Sequence, residues 1–213
     1  MSESGRVGRQ GNYDLVVALF CAFLLISNVA ATKLIAFGPI ITDGGAFLFP
    51  LTYILGDLLA EVYGFRRARR AIWIGFACSA LASLTFLVVA AAPPAPEWGN
   101  QAAFEAVLGF VPRIVIASLL GYLAGQFLNA WVLVRIKERT KGKALWARLV
   151  GSTVVGEFAD TAVFCIVAFG GVISNGSLVI YILVGYVYKT LVEIVLLPVT
   201  YRVIALVKRH EPS

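Results

Sequence analysis

Three pairs of ionisable residues are spaced to share a helix face. Asp57 and Glu61 are four residues apart, Glu157 and Asp160 three, and Lys189 and Glu193 four. Each pair stands inside a long apolar run, as do the amides Asn28 and Gln126. An ionisable group in hydrocarbon costs about 2.5–3.5 kcal/mol even on lenient scales, so such groups mark a function or a pair. Five acids face one deep lysine, so pairing alone does not neutralise them. The remainder must be protonated, hydrated or bound to a ligand. Ionised carboxylates only accept hydrogen bonds. The ligand they suit is therefore rich in donors, and a cation is compatible. Phe49, Tyr53, Tyr122, Tyr186 and Tyr188 lie in the same runs and offer faces for a flat ring.

The residues argue against several other chemistries. The single histidine, His210, follows the last apolar run, and there is no CxxC or HExxH spacing. No metal and no cofactor is expected. Cys21, Cys78 and Cys165 all fall in apolar runs and are read as small buried residues.

These residues must be positioned by membrane helices. Of 213 residues, 60% are hydrophobic and 14% charged, against about a half and a quarter in soluble domains. A hydrocarbon core needs about 20 apolar residues per helix. Runs at 14–37, 44–63, 70–92, 113–135, 149–171 and 178–207 qualify, giving a single all-α domain of six spans. The first run follows Arg6 and Arg9 as a signal sequence would, but it outruns an h-region of about 7–15 residues. It is read as a permanent helix. The runs are continuous rather than alternating, which excludes a barrel.

The basic residues behind the net charge of +6 lie mostly in four places. They are the 66–70 link, the 137–148 link and the two termini, with the other links nearly free of Lys and Arg. The positive-inside rule puts both termini in the cytoplasm. Orientation explains the basic charge, so no nucleic-acid partner is expected. Pro93, Pro94 and Pro96 end the third run, after which 101–110 is expected to form a short interfacial helix near Trp98. The segment 38–50 is either a lid dipping into the bundle or an ordinary loop. Ala117, Gly121, Gly125 and Asn129 form one small-residue stripe, and Gly75, Ser79 and Ser83 another. They pack within one bundle or against a second copy in a homodimer.

At about 1.5 Å per residue, counting from each end brings Asn28, Asp57, Gln126, Asp160 and Lys189 to one layer near mid-membrane. Glu61 and Glu193 fall nearer the cytoplasmic side, and Lys33 and Arg113 near the outer ends of their helices. Lys189 has natural partners in Asp160, Asp57 or Glu193. A polar midplane layer walled by apolar helices is the arrangement of a transporter site. Gly56-Asp57 and Gly156-Glu157 also hint at an inverted repeat.

Short motifs recur in order along the chain: Ser27-Asn28, Gly45-Ala46-Phe47, Phe49-Pro50, Thr52-Tyr53, Asp57 with Glu61, and Tyr63-Gly64. They continue with Arg113, Ala117-Ser118, Gly125-Gln126, Gly156-Glu157, Asp160-Thr161, Lys189 and Pro198. With these the chain resembles the putative vitamin uptake transporter family, whose bacterial members include queuosine precursor transporters. The resemblance implies a six-helix fold similar to the substrate-binding components of energy-coupling-factor transporters. It implies a bacterial inner-membrane location and, as substrates, 7-cyano-7-deazaguanine and 7-aminomethyl-7-deazaguanine. Asp57, Glu157 or Asp160 would then accept from the guanine-like edge. Asn28, Gln126 and Lys189 would read the carbonyl and a ring nitrogen, and Phe49, Tyr53 or Tyr122 would stack. Lys33, Glu61, Arg113 and Glu193 are candidates for coupling or gating.

Other readings make different demands. A vitamin- or nucleobase-binding subunit of an ATPase-coupled importer would dock through small residues such as Ala18 and Ala22. An intramembrane hydrolase would need two acids sharing a proton. A scaffold would use the charges only as structural pairs.

Overall fold

The computed structural model describes residues 4–139 and 145–210. Lys141 and Lys143 lie outside the described residues, as do the side chains of Arg6, Arg9, Lys137, Arg148, Arg209 and His210. Helix α1 spans Ser4–Ala30, and strands β1 (Leu34–Phe37) and β2 (Ile40–Asp43) follow. A 3-10 turn (Gly44–Phe47) leads into α2 (Phe49–Tyr63) and α3 (Phe65–Ala91). Then come α4 (Gln101–Leu108), α5 (Val111–Arg139), α6 (Leu145–Phe169) and α7 (Asn175–His210). Apart from the hairpin the chain is helical, and many large apolar side chains on these helices face outward, including Leu84, Val88, Ile166 and Val195. That surface needs a lipid solvent. The protein is a multi-pass membrane protein.

Among the described residues, five stretches of helix are long and apolar enough to cross: Asn12–Ala30, Phe65–Ala91, Gln101–Ile136, Gly151–Phe169 and Asn175–Lys208. The expected second span differs. Its first residues form the 3-10 turn, and α2 itself has 15 residues, about 22 Å against a core of about 30 Å. Leu48 and Pro50 set the start of α2. Gly64, at φ 82°, breaks the chain before α3, a conformation that disfavours other residues.

The first span is also shorter than expected. Residues 34–37 are strand, not helix, because Gly38 at φ 62° and Pro39 turn the chain back on itself. The β-branched residues Ile35, Ile40, Ile41 and Thr42 favour extended backbone there. Segment 38–50 is thus a strand, a 3-10 turn and a helix start. The expected short helix after the prolines is present as α4. Gln101 ties it to α3, donating to the Ala90 carbonyl at 2.8 Å, and Trp98 meets Phe104 edge-on at 6.1 Å.

The chain divides into two compact units. One holds α1 to α4 and α7 from Leu191 onward. The other holds the hairpin, α5 from Pro112, α6, and α7 up to Thr190. The first unit has a core of Val16, Phe20, Leu58, Leu59, Ala68, Ala71 and Ile204. Its helices approach closely at Gly75, where a methyl would stand 2.8 Å from Leu24 and 3.3 Å from Phe20. In the second unit, Ile114, Ala117, Cys165, Ala168 and Phe169 are buried, and Phe169 meets Tyr181 edge-on at 5.2 Å. Both small-residue stripes are therefore used within the chain. None of the three cysteines forms a disulfide, and Cys165 is buried while Cys21 and Cys78 are half-buried.

Candidate functional site

The second unit contains the best-defined polar group. Lys189 on α7 donates to Asp160 Oδ2 on α6 at 2.7 Å, with side chains 21% and 32% exposed. Asp160 is one of the partners expected for Lys189. Glu157 lies within electrostatic reach of the same ammonium. Tyr122 is half-buried on α5, whereas Gln126 is exposed. Tyr186 packs edge-on to Phe158 at 5.6 Å.

The backbone around Asp160 is drawn in by glycine. A methyl on Gly121 would stand 2.8 Å from the Asp160 carbonyl and 3.0 Å from its Oδ1. One on Gly125 would stand 2.9 Å from Asp160 Cβ and 2.9 Å from the Gly156 carbonyl. Only glycine admits this approach of α5 to α6. The α5 stripe thus turns out to be the wall behind Asp160. Next to it, the Thr161 and Asn129 side-chain oxygens are buried without a hydrogen-bond partner.

Arg113 stands at the start of α5. Its Nε donates to the Val167 carbonyl at 2.8 Å and its Nη2 to the Gly170 carbonyl. Those acceptors end α6, where carbonyls lack a helical donor and a cation meets the negative end of the helix dipole. Sequence reading placed Arg113 near an outer helix end but did not foresee these acceptors, since backbone carbonyls leave no mark in residue types.

The first unit gathers the other candidates. Asn28 is 4% exposed and donates to Ser79 Oγ at 3.3 Å, joining α1 to α3. Ser79 is the partner that residue spacing alone did not reveal. Phe49 and Tyr53 have ring centroids 6.0 Å apart on α2. Asp57 is half-buried, with Glu61 and Glu193 both close enough to act on its charge. Glu61 is exposed, 3.8 Å from Lys208. Lys33 lies just past α1 in a turn, with its backbone bonded to Ala30, and its side chain is exposed. Asp43 accepts from the Gly45 N–H at 2.6 Å and caps the 3-10 turn, and Ser27 donates to the Gly45 carbonyl. The proposed repeat pairs unlike environments, because Gly156 is hemmed in by Asn129 while the Cβ direction of Gly56 is open.

No His, Cys, Asp and Glu cluster among the described residues has the makings of a metal site. What these groups offer is recognition: acceptors, half-buried cations and ring faces. Residues 43–203 match the family described as putative vitamin uptake transporter. The chain belongs to that family. It is accordingly a transporter and not an enzyme. A relative from Bacillus subtilis, named "Probable queuosine precursor transporter", is 30% identical over 88% of this chain and 82% of its own length. The "Queuosine precursor transporter" of Escherichia coli is 32% identical over 60% of this chain and 55% of its own. A Haemophilus influenzae protein, also named "Probable queuosine precursor transporter", is 29% identical over 59% and 51%. The chain spans about half the length of these last two. No solved structure matches the chain.

Proposed function

We propose that this transporter imports queuosine precursors, 7-cyano-7-deazaguanine or 7-aminomethyl-7-deazaguanine, across a bacterial inner membrane. The observation that carries the reading is the Lys189–Asp160 hydrogen bond at 2.7 Å inside two apolar spans. A buried ion pair is weak evidence for stability, since apolar residues of similar size usually serve as well or better. A binding role accounts for its presence. The names of the relatives supply the substrate class.

In this reading Asp160, Glu157, Gln126, Tyr122 and Lys189 contact the deazaguanine from the second unit. Asn28, Phe49, Tyr53 and Asp57, in the first unit, stay candidates for substrate contact from the sequence. The N–H donors of the base meet carboxylates and its carbonyl meets Lys189 Nζ. Glu193 and Lys33 serve coupling or gating. The fold is six spans, α2 completing the count, with both termini cytoplasmic as the arginine-rich links dictate.

The test is rescue. The chain is expressed in a bacterium that neither makes nor imports queuosine precursors, and each base is supplied at low concentration. Queuosine in tRNA should return for at least one base. Its absence, with insertion confirmed, sinks the proposal.

A second reading has one observation in its favour. Ala18 and Ala22 are exposed on one face of α1, a notch of the kind a partner helix fills. An ATPase-coupled subunit would use it. Co-purification of ATPase subunits, and its loss on Ala22→Trp, supports that reading, and uptake by the purified chain alone in liposomes rejects it.

A further inference from the structure

We infer that Arg113 is the register lock of the α5–α6 pair, and so a positioning residue for Asp160; its consequence for uptake rests on the function proposed above. The contacts step down α5 as they step up α6. Arg113 meets Val167, Gly121 meets Asp160, and Gly125 meets Gly156. Eight residues separate Arg113 from Gly121 and seven separate Asp160 from Val167, so the two rails match to about one residue's rise.

The glycine contacts alone do not fix this register. Ala117, Gly121 and Gly125 recur every four residues. A slide by one turn, about 5.4 Å, replaces one small residue by the next and leaves the close approach possible. Elements do ratchet past one another by one turn in known transitions. Such a slide would carry Gly121 away from Asp160 and remove the α5 wall behind the Lys189–Asp160 pair. What distinguishes the observed register is the end of the pair. The guanidinium is a rigid planar fork, and it holds two carbonyls three residues apart, Val167 and Gly170. Phe169 ends α6, and Gly171 at φ 77° turns the chain there, so these acceptors exist at one height only.

The experiment measures register and uptake on the full chain in liposomes. The three native cysteines are replaced by alanine, and spin labels are placed at Leu120→Cys and Ile166→Cys. These are outward-facing positions on α5 and α6, 44% and 53% exposed. The distance between labels is read by electron paramagnetic resonance for Arg113, Arg113→Lys and Arg113→Gln. A lock predicts one narrow distance with Arg113. In Arg113→Gln it predicts a second population displaced by up to about 5 Å, one turn, and a KM for uptake raised about tenfold or more. Arg113→Lys keeps the charge, loses the fork and should fall between, and it serves if Arg113→Gln does not insert. An unchanged distance with lost uptake would make Arg113 a direct gate and overturn the inference. So would a shifted distance with unchanged uptake, or no change in either. If the Arg113 protein carries neither deazaguanine, the proposed substrate fails, and the distance alone then decides the lock.

Discussion

The two units each contain a lysine–carboxylate pair, and the pairs differ in kind. Lys189 and Asp160 are hydrogen-bonded at 2.7 Å, mostly shielded, with the α5 glycines behind the carboxylate. Lys208 and Glu61 are 3.8 Å apart, and their side chains are 52% and 65% exposed. The first pair pays a desolvation cost that geometry must offset. The second is screened and worth about 0–1 kcal/mol. Identical chemistry thus does two things. Where the surroundings fix both partners it makes a recognition element, and at an exposed helix end it decorates a surface.

Breaking the shielded pair should have the largest effect. Lys189→Ala leaves Asp160 an uncompensated charge, a loss of about 3–5 kcal/mol by analogy with other buried pairs. Uptake in liposomes should fall about 100-fold or more, while Asp160→Asn and Lys189→Ala both still insert. Misfolding of both variants, with no transport defect separable from it, would instead favour the scaffold reading. Next comes the wall behind the pair. Gly125→Leu forces α5 from α6, and uptake should drop at least about tenfold, as overpacking at a close contact costs about 1–3 kcal/mol. Wild-type rates in that variant would show that α5 need not touch α6 there.

Smaller effects belong to the first unit. Ser79→Ala removes the acceptor of Asn28 and should lower the thermal midpoint in detergent by about 2–4 °C for a loss near 1 kcal/mol. A loss of uptake with no thermal change would move Asn28 from packing to substrate contact. Smallest of all, Glu61→Gln should alter stability by under about 1 kcal/mol and leave uptake within about threefold. A larger loss of uptake, insensitive to salt, would mean that Glu61 couples transport and that its link to Lys208 is incidental.

The sequence shows most clearly what depends on apolar run length and charge. Five of the six expected spans and the short α4 could be read from run length among the described residues, and Asp160 was one of the partners expected for Lys189. Readings failed where backbone geometry overrides composition. Residues 34–37 are as apolar as a helix end, yet Gly38-Pro39 folds them into a strand. The acceptors of Arg113 were not legible either, because they are backbone carbonyls, which every residue has. Depth placed Asn28 with the midplane group, but it could not name Ser79 as a hydrogen-bond acceptor for that side chain, because depth does not report azimuth.

The hairpin after α1 also measures the membrane. A two-stranded ribbon has two open edges, whose amides hydrocarbon does not satisfy. The ribbon must therefore lie in water, among headgroups or against protein. It begins four residues after a crossing stretch of 19 residues, about 28 Å of helix, close to a full hydrocarbon thickness. The Gly38-Pro39 tip is exposed, and so it is a natural place to splice an epitope. Antibody access to that tag on intact cells would report which way round the protein sits, without disturbing any helix.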